Sequence, residues 1–246
     1  MKILVCVSKT PDTTAKISFN GDATQFNSAG ITFIMNPYDE WYALVRALDL
    51  AKATNGTVTL INVGTVENDP IIRKGLALDA NDAVRIDTDP KSAMGVAFQI
   101  AEYAKDKAYD VIFTGKETIE YNGSEVGAMI AEYLDLPFIS YASKLDMSGN
   151  IATIGRDIEG GIEELEVATP FVISAAKDIA VQRIANMMGI MKAKSKPLVV
   201  VAPQPFDDLS IVTHFELPPA KAGVKMVAAD DMDELVRMLH EVSKVI

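Results

Sequence analysis

Lys2-Ile3-Leu4-Val5-Cys6-Val7 opens the chain with a run that is aliphatic and β-branched rather than alternating. A strand of that composition is buried on both faces, as in a parallel sheet covered by helices. The same character returns in Thr57–Val63, in residues 83–86 and in residues 110–114. The stretches between these runs have helical spacing. Residues 38–54 place Trp41, Leu44, Val45, Leu48 and Ala51 on one stripe. Ile71, Gly75 and Leu78 make a second, Met94, Phe98, Ala101 and Tyr103 a third, and residues 123–134 supply the last crossover. Strands alternating with helices of this length predict βαβ units, hence a doubly wound, mostly parallel α/β sheet.

After about Leu136 the pattern changes. Residues 151–156 and 163–168 are short alternating runs around Glu159-Gly160-Gly161, which predicts an antiparallel hairpin. Two further apolar runs, 170–175 and 197–202, flank the methionine-rich piece Asn186-Met187-Met188-Gly189-Ile190-Met191 with Lys192, Lys194 and Lys196 behind it. From 203 to 225 periodicity disappears and prolines accumulate, a stretch longer than compact domains usually tolerate. The organisation predicted is an α/β domain over 1–202 and an extended C-terminal arm over 203–246. A helix over 230–245 ends it, and its Leu235, Val236, Leu239 and Val242 need a surface to pack on. A loose linker is the alternative reading of the arm.

Composition narrows the function. The chain has 246 residues, 49% hydrophobic and 23% charged, with room for a sizeable core. A formal charge of −11 argues against nucleic-acid binding and against a polybasic membrane surface. No apolar run approaches the roughly 20 residues that span a bilayer, so no direct membrane insertion is expected. The short apolar run after Met1-Lys2 is no signal-peptide core, and the reading is of a cytoplasmic chain. One cysteine and two histidines cannot build a Cys/His metal cage, and no metal is expected. The phosphate loop G-x-x-x-x-G-K-[ST], the dinucleotide fingerprint G-x-G-x-x-G after a strand, and the nucleophile elbow G-x-S-x-G are all missing. No catalytic residue is assigned.

Two segments stand where open parallel sheets bind ligands, at strand carboxyl ends. In Asn36-Pro37-Tyr38-Asp39-Glu40, Asn36 suits an N-cap and Pro37 a first helical turn. A well-capped helix alone accounts for it. The run from Thr114 to Gly127, rich in Gly, Asn, Ser and Thr, leads from a strand into a helix whose first amides suit an anion. Phosphate binding and a plain connecting loop are both open there.

Taken together, the segments resemble the electron transfer flavoprotein β-subunit family from end to end. The resemblance rests on Pro11-Asp12-Thr13 after the first strand, Asn36-Pro37-Tyr38-Asp39-Glu40, Thr114-Gly115-Lys116, and Tyr141-Ala142-Ser143-Lys144-Leu145. Its most specific marks are Arg156-Asp157-Ile158-Glu159-Gly160-Gly161 and Gly189-Ile190-Met191-Lys192-Ala193-Lys194. It implies a fold like that of adenine-nucleotide α-hydrolases. It also implies pairing with a larger electron transfer flavoprotein α subunit that holds most of the FAD, and a structural AMP in this chain. Electrons would pass from acyl-CoA dehydrogenases and related enzymes to a membrane quinone oxidoreductase. The nucleotide positions carried over are Cys6, Asn36, Pro37, Tyr38, Asp39, Val63, Glu120, Tyr121, Asn122, Gly123, Ser124, Glu125, Val126, Gly127, Ala128 and Met129. The backbone amides of 122–127 are expected at the phosphate, and Pro11-Asp12-Thr13 near the flavin edge. Partner docking falls on Met187, Met188, Ile190, Lys192 and Lys194, with Met187 as apolar anchor and Met191 in the core.

The chain departs from the family pattern in five places. Glu117 and Glu125 replace a common glutamine, Glu120 and Asn122 a common aspartate, and Asp79 a glycine that ends a helix. Carboxylates cannot donate to a phosphate and repel it. Some family members hold a second FAD at this place and bifurcate electrons; this loop lacks their usual pattern, so AMP is the expected ligand. An ATP-using α-hydrolase would want a glycine- and serine-rich loop where Val7-Ser8-Lys9-Thr10-Pro11 stands. A lone nucleotide-binding stress protein would not need the hairpin and arm.

Overall fold

The computed structural model describes residues 1–119, 121–221 and 223–246. Its elements run β1 (Lys2–Cys6), β2 (Thr10–Pro11), β3 (Phe33–Ile34), α1 (Glu40–Thr54), β4 (Thr57–Val63), α2 (Asp69–Ala77), β5 (Asp82–Ile86), α3 (Ala93–Ala104) and β6 (Val111–Gly115). They continue with α4 (Val126–Leu134), β7 (Phe138–Ser148), β8 (Ile151–Ile158), β9 (Gly161–Ala168), β10 (Phe171–Ala175), α5 (Met187–Ala193), β11 (Leu198–Val201) and α6 (Met232–Arg237). Nine strands form one sheet in the order β11-β5-β4-β1-β6-β10-β7-β8-β9, parallel from β11 through β7 and antiparallel beyond. Strands β2 and β3 make a separate two-residue ladder.

The two-sided burial read from the first strand is realised. Ile3 and Val5 point into one core layer with Val58, Leu60, Phe113 and Phe171, beneath α1 and α2. Leu4 and Cys6 point into the other with Ile61, Ile112 and Val172, beneath α3 and α4. The fold is α/β with helices on both faces. Strand β1 has β4 on one side and β6 on the other, so the order reverses there and opens a crevice at their carboxyl ends.

Three local expectations are corrected, and one, the hairpin, is realised and extended. Helix α1 begins at Glu40, not at Pro37; residues 37–39 form a preceding turn, because the Asn36 side chain accepts from the amides of Tyr38 (3.0 Å) and Asp39 (3.3 Å). The buried face of α3 is Ala97, Ile100, Ala101 and Ala104 rather than Met94, Phe98 and Tyr103. Small residues let that helix approach the sheet, and Phe98 turns aside to meet Tyr133 of α4 and Phe206 of the arm. The hairpin β8–β9, with Gly160 at φ +86°, is extended by β7, which is parallel to β10 and antiparallel to β8. The terminal helix is short: α6 spans six residues and runs into one wide turn over 238–242.

The start of the arm lies against α3. Gln99, buried, grips the backbone of Gln204 in both directions, donating to its carbonyl (2.7 Å) and accepting from its amide (2.8 Å). Farther on, Phe215 stacks on Phe19 and donates its amide to the Ala23 carbonyl at 2.8 Å. No described residue beyond Val201 is buried.

Candidate functional site

The crevice between β1 and β6 is walled by three chain segments. The first is the exit of β1. Val7 donates its amide to Ile61 O (2.9 Å) and its carbonyl accepts from Asn62 Nδ2 at 2.8 Å; Asn68 Nδ2 in turn donates to Asn62 Oδ1 at 3.0 Å. Ser8 then donates from its amide (2.8 Å) and its hydroxyl (2.6 Å) to the two carboxylate oxygens of Glu40. Cys6 lies just below, buried, and desolvation together with the Glu40 charge pushes its thiol pKa up.

The second wall is the start of α1. Asn36 is 1% exposed and Asp39 2%. The Asn36 amide donates to the carbonyl of Glu117 at 2.8 Å, fastening this wall to the third. Oδ2 of Asp39 has no hydrogen-bond partner among the described residues. Burial raises the Asp39 pKa; the Lys116 ammonium opposes the rise, the Glu117 carboxylate adds to it, and contacts with Asn36 and the Glu117 backbone oppose it. Tyr38, beside it, is exposed.

The third wall is the loop after β6. Gly115 lets that strand end against α1: a Cβ there would lie 3.1 Å from both Asp39 Cβ and Glu40 Cγ. Lys116 donates its amide to the Ala175 carbonyl (3.0 Å), and its ammonium is 3.3 Å from the Glu117 carboxylate. The loop closes on itself, with Asn122 N donating to Thr118 O (2.7 Å) and Gly123 N to Thr118 Oγ1 (3.1 Å). Asn122 takes the left-handed conformation (φ +56°), while Gly123 and Gly127 do not. Helix α4 then begins without a side-chain cap, so its first-turn amides are free for an outside acceptor. Gly127 is required for packing: a Cβ would sit 2.7 Å from Thr114 Oγ1 and 2.8 Å from the Phe138 ring.

The predicted positions divide accordingly. Asn36 and Asp39 meet residues 115–117, Cys6 lies beneath with the Glu40 charge near it, and Pro37 is half-buried in the turn before α1. Tyr121, Ser124, Glu125 and Ala128 are exposed along the loop and the first turn of α4, with Val126 and Met129 half-buried there. The amides of Asn122 and Gly123 are already engaged within the loop, which leaves 124–127 as donors. Val63, buried, lines a separate cavity of about 120 Å³ shared with Gly95, Gln99, Gln204 and Phe206. Glu120 lies outside the described residues. Sequence reasoning missed Ser8, Glu40, Asn62 and Asn68, whose partners are 6 to 55 residues away in the chain. Only their polarity beside apolar strands could have marked them.

The docking segment lies on the α1/α2 layer, packed against α2. Asn186 caps α5 by accepting from Gly189 N at 2.8 Å. Gly189 and Ala193 seat the helix on α2, where a Cβ at Gly189 would meet Ala77 O at 2.3 Å. Met187 is 74% exposed, Met188 64% and Ile190 44%, with Lys192 and Lys194 also exposed. Met191 is 69% exposed and not in the core, because the face of α5 that meets α2 carries the two small residues. No cluster of three metal-ligating side chains and no helix long and apolar enough to cross a membrane occurs among the described residues.

Residues 24–205 match the family described as the electron transfer flavoprotein domain. Across the whole length of both chains, the sequence is 32% identical to the electron transfer flavoprotein subunit beta of Bacillus subtilis (strain 168). It is 29% identical to the human subunit of the same name, covering 100% of this chain and 99% of that one. It is also 35% identical to the acryloyl-CoA reductase electron transfer subunit gamma of Anaerotignum propionicum, over 82% of this chain and 77% of the relative. With the parallel sheet, the β7–β9 extension and the arm in place, these matches settle the assignment: the chain belongs to the electron transfer flavoprotein family, as a β subunit.

Proposed function

We propose that the chain is the non-catalytic half of a heterodimeric electron carrier and binds AMP at the β1/β6 crevice, with FAD held mainly by the α subunit. FAD, when bound, supplies the redox chemistry; the residues of this chain bind, orient and dock. The observation that carries the reading is the convergence of the Asn36–Asp39 turn and the 115–127 loop, fastened by Asn36 to Glu117, at the strand-order reversal. The residues suit a nucleoside monophosphate. The buried, unpartnered Asp39 Oδ2 is an acceptor fitted to a hydroxyl or amino group, and the uncapped amides of 124–127 suit a single phosphate. The departures from the family pattern are accommodated: Glu117 is neutralised by Lys116, and Glu125 is exposed and able to turn to solvent.

Acyl-CoA dehydrogenases and related enzymes are the proposed donors, docking on α5 with Met187 as anchor and Lys192 and Lys194 steering, and a membrane quinone oxidoreductase is the acceptor. The relative named as an electron transfer subunit of acryloyl-CoA reductase supports chemistry at CoA thioesters. The carrier would work in the cytoplasm. Extraction of the co-expressed heterodimer, followed by reversed-phase separation, tests the reading. One FAD and one AMP per heterodimer are expected; two FAD would mean a bifurcating β subunit and overturn the AMP assignment.

A further inference from the structure

In nucleotide-binding α/β folds the amide and hydroxyl donors at the exit of the first strand are natural partners for a phosphate. Here those donors belong to Ser8, and both are taken by the carboxylate of Glu40, at 2.8 and 2.6 Å. Glu40 is 7% exposed, and its Cγ lies 3.1 Å from the place where Gly115 would carry a Cβ. The carboxylate therefore stands between the exits of β1 and β6, in the middle of the crevice. Among the described residues, charged groups near this place include Asp39 and Glu117, both acidic, and Lys116, whose ammonium is paired with Glu117. The first-turn amides at the α4 end of the crevice are uncapped.

We infer that Glu40 is a specificity-determining residue: a built-in anion that takes the phosphate-binding donors of the β1 exit and restricts the site to a single phosphate at the α4 end. A di- or triphosphate, or the pyrophosphate of a dinucleotide, would have to extend toward a buried carboxylate that offers it no donor and repels it. The absence of a glycine-rich loop after β1 follows the same logic, since Ser8 has no phosphate to approach. This inference rests on the nucleotide reading above and gives a physical reason for a monophosphate there.

The test uses the co-expressed heterodimer, stripped of bound nucleotide and titrated with AMP, ADP and ATP. The wild type is expected to prefer AMP over ADP and ATP by at least tenfold. Glu40→Gln, which keeps an acceptor for Ser8 but no charge, should narrow that preference by about tenfold while AMP affinity stays within about threefold. Glu125→Gln, at the exposed start of α4, is the control. It should tighten all three ligands together and leave their ratio unchanged. If Glu40→Gln proves unstable, Glu40→Ser removes the charge and keeps a small hydroxyl, and FAD content reports whether either variant is folded. An unchanged AMP-to-ATP ratio in a folded Glu40 variant overturns the role of Glu40 and leaves the AMP reading standing. Two FAD in the wild type overturn both.

Discussion

The two ends of the chain treat apolar side chains in opposite ways. In β1, Ile3, Leu4 and Val5 are fully buried between two helical layers. In the arm, Leu209, Ile211, Leu217, Val224 and Met226 are exposed, and α6 buries nothing. Large contiguous apolar patches on a folded surface commonly mark interaction sites. The arm is nonetheless tied down at two points, by Gln99 and Phe98 at its start and by Phe19 farther on. It is held in place and left uncovered, which fits the proposal that the arm packs on the partner subunit. Deleting residues 209–246 should therefore separate the two regions. The truncated domain should still unfold cooperatively, while co-purification with the α subunit is lost altogether. Burying even a few of those side chains is worth about 1.5–3 kcal/mol each, so this is the largest effect expected. Recovery of a one-to-one heterodimer from the truncated chain would show that the arm is dispensable.

The same contrast, between residues that hold the domain and residues that face outward, divides the two glycines at the start of α4. Gly127→Val drives a side chain into Thr114 and Phe138 and should cost about 1–3 kcal/mol of stability. Gly123 has its nearest neighbour, Thr118 Oγ1, at 3.3 Å, and its φ is not left-handed. Gly123→Val should change stability by less than about 0.5 kcal/mol yet reduce nucleotide occupancy by crowding the loop. Chemical denaturation of both variants, read beside extracted AMP, checks the division. Equal stability losses would remove it.

How much of this was legible follows from how local each signal is. Two-sided burial in β1, β4 and β6 shows in the run of residues itself, so the sheet and its helices were readable. Strand β7 was not: it is parallel to β10 on one side and antiparallel to β8 on the other, and no short pattern encodes two such neighbours at once. Helix α3 misled because its largest apolar residues, Phe98 and Tyr103, are half-buried flanks while alanines face the sheet. At the site, Asn36 and Asp39 came from the family resemblance, since their place in a loop before a helix reads equally well as a plain cap. Glu40 reads in the sequence as one more acid in a first helical turn, welcome to the helix dipole. Its grip on Ser8, 32 residues away, exists only in the fold.

Met187 sharpens the comparison on the domain's own surface. A core methionine replaced by alanine loses about 2–5 kcal/mol. At 74% exposure in the first turn of α5, Met187 has no such packing to lose, so Met187→Ala should shift stability by less than about 0.5 kcal/mol. As the docking anchor, it should instead lower kcat/KM for electron transfer from an acyl-CoA dehydrogenase. An interface side chain that contributes measurably, short of a full hot spot, costs about 1–2 kcal/mol when truncated, roughly 5- to 30-fold. An unchanged kcat/KM with full FAD content would remove Met187 from the interface.

The smallest effect belongs to Asp79, where the domain carries strain of its own. It follows α2 with φ +94°, beyond the left-handed well that aspartate tolerates best. Lys196 compensates. Its ammonium donates to the carbonyls of Leu76 (3.2 Å) and Ala80 (2.7 Å) as well as to the Asp79 carboxylate (2.9 Å), closing the end of the helix. The carboxylate itself is largely in water, so its ion pair is worth about 0–1 kcal/mol, toward the low end. Glycine would release about 1 kcal/mol of backbone strain or somewhat more, offset in part by the greater freedom it gives the unfolded chain. Asp79→Gly should thus stabilise the domain by up to about 1 kcal/mol, a rise of a few degrees in Tm. Lys196→Ala made in the glycine background should still lower Tm, because the two carbonyl contacts do not depend on Asp79. A fall in Tm for Asp79→Gly alone would mean that the ion pair outweighs the strain.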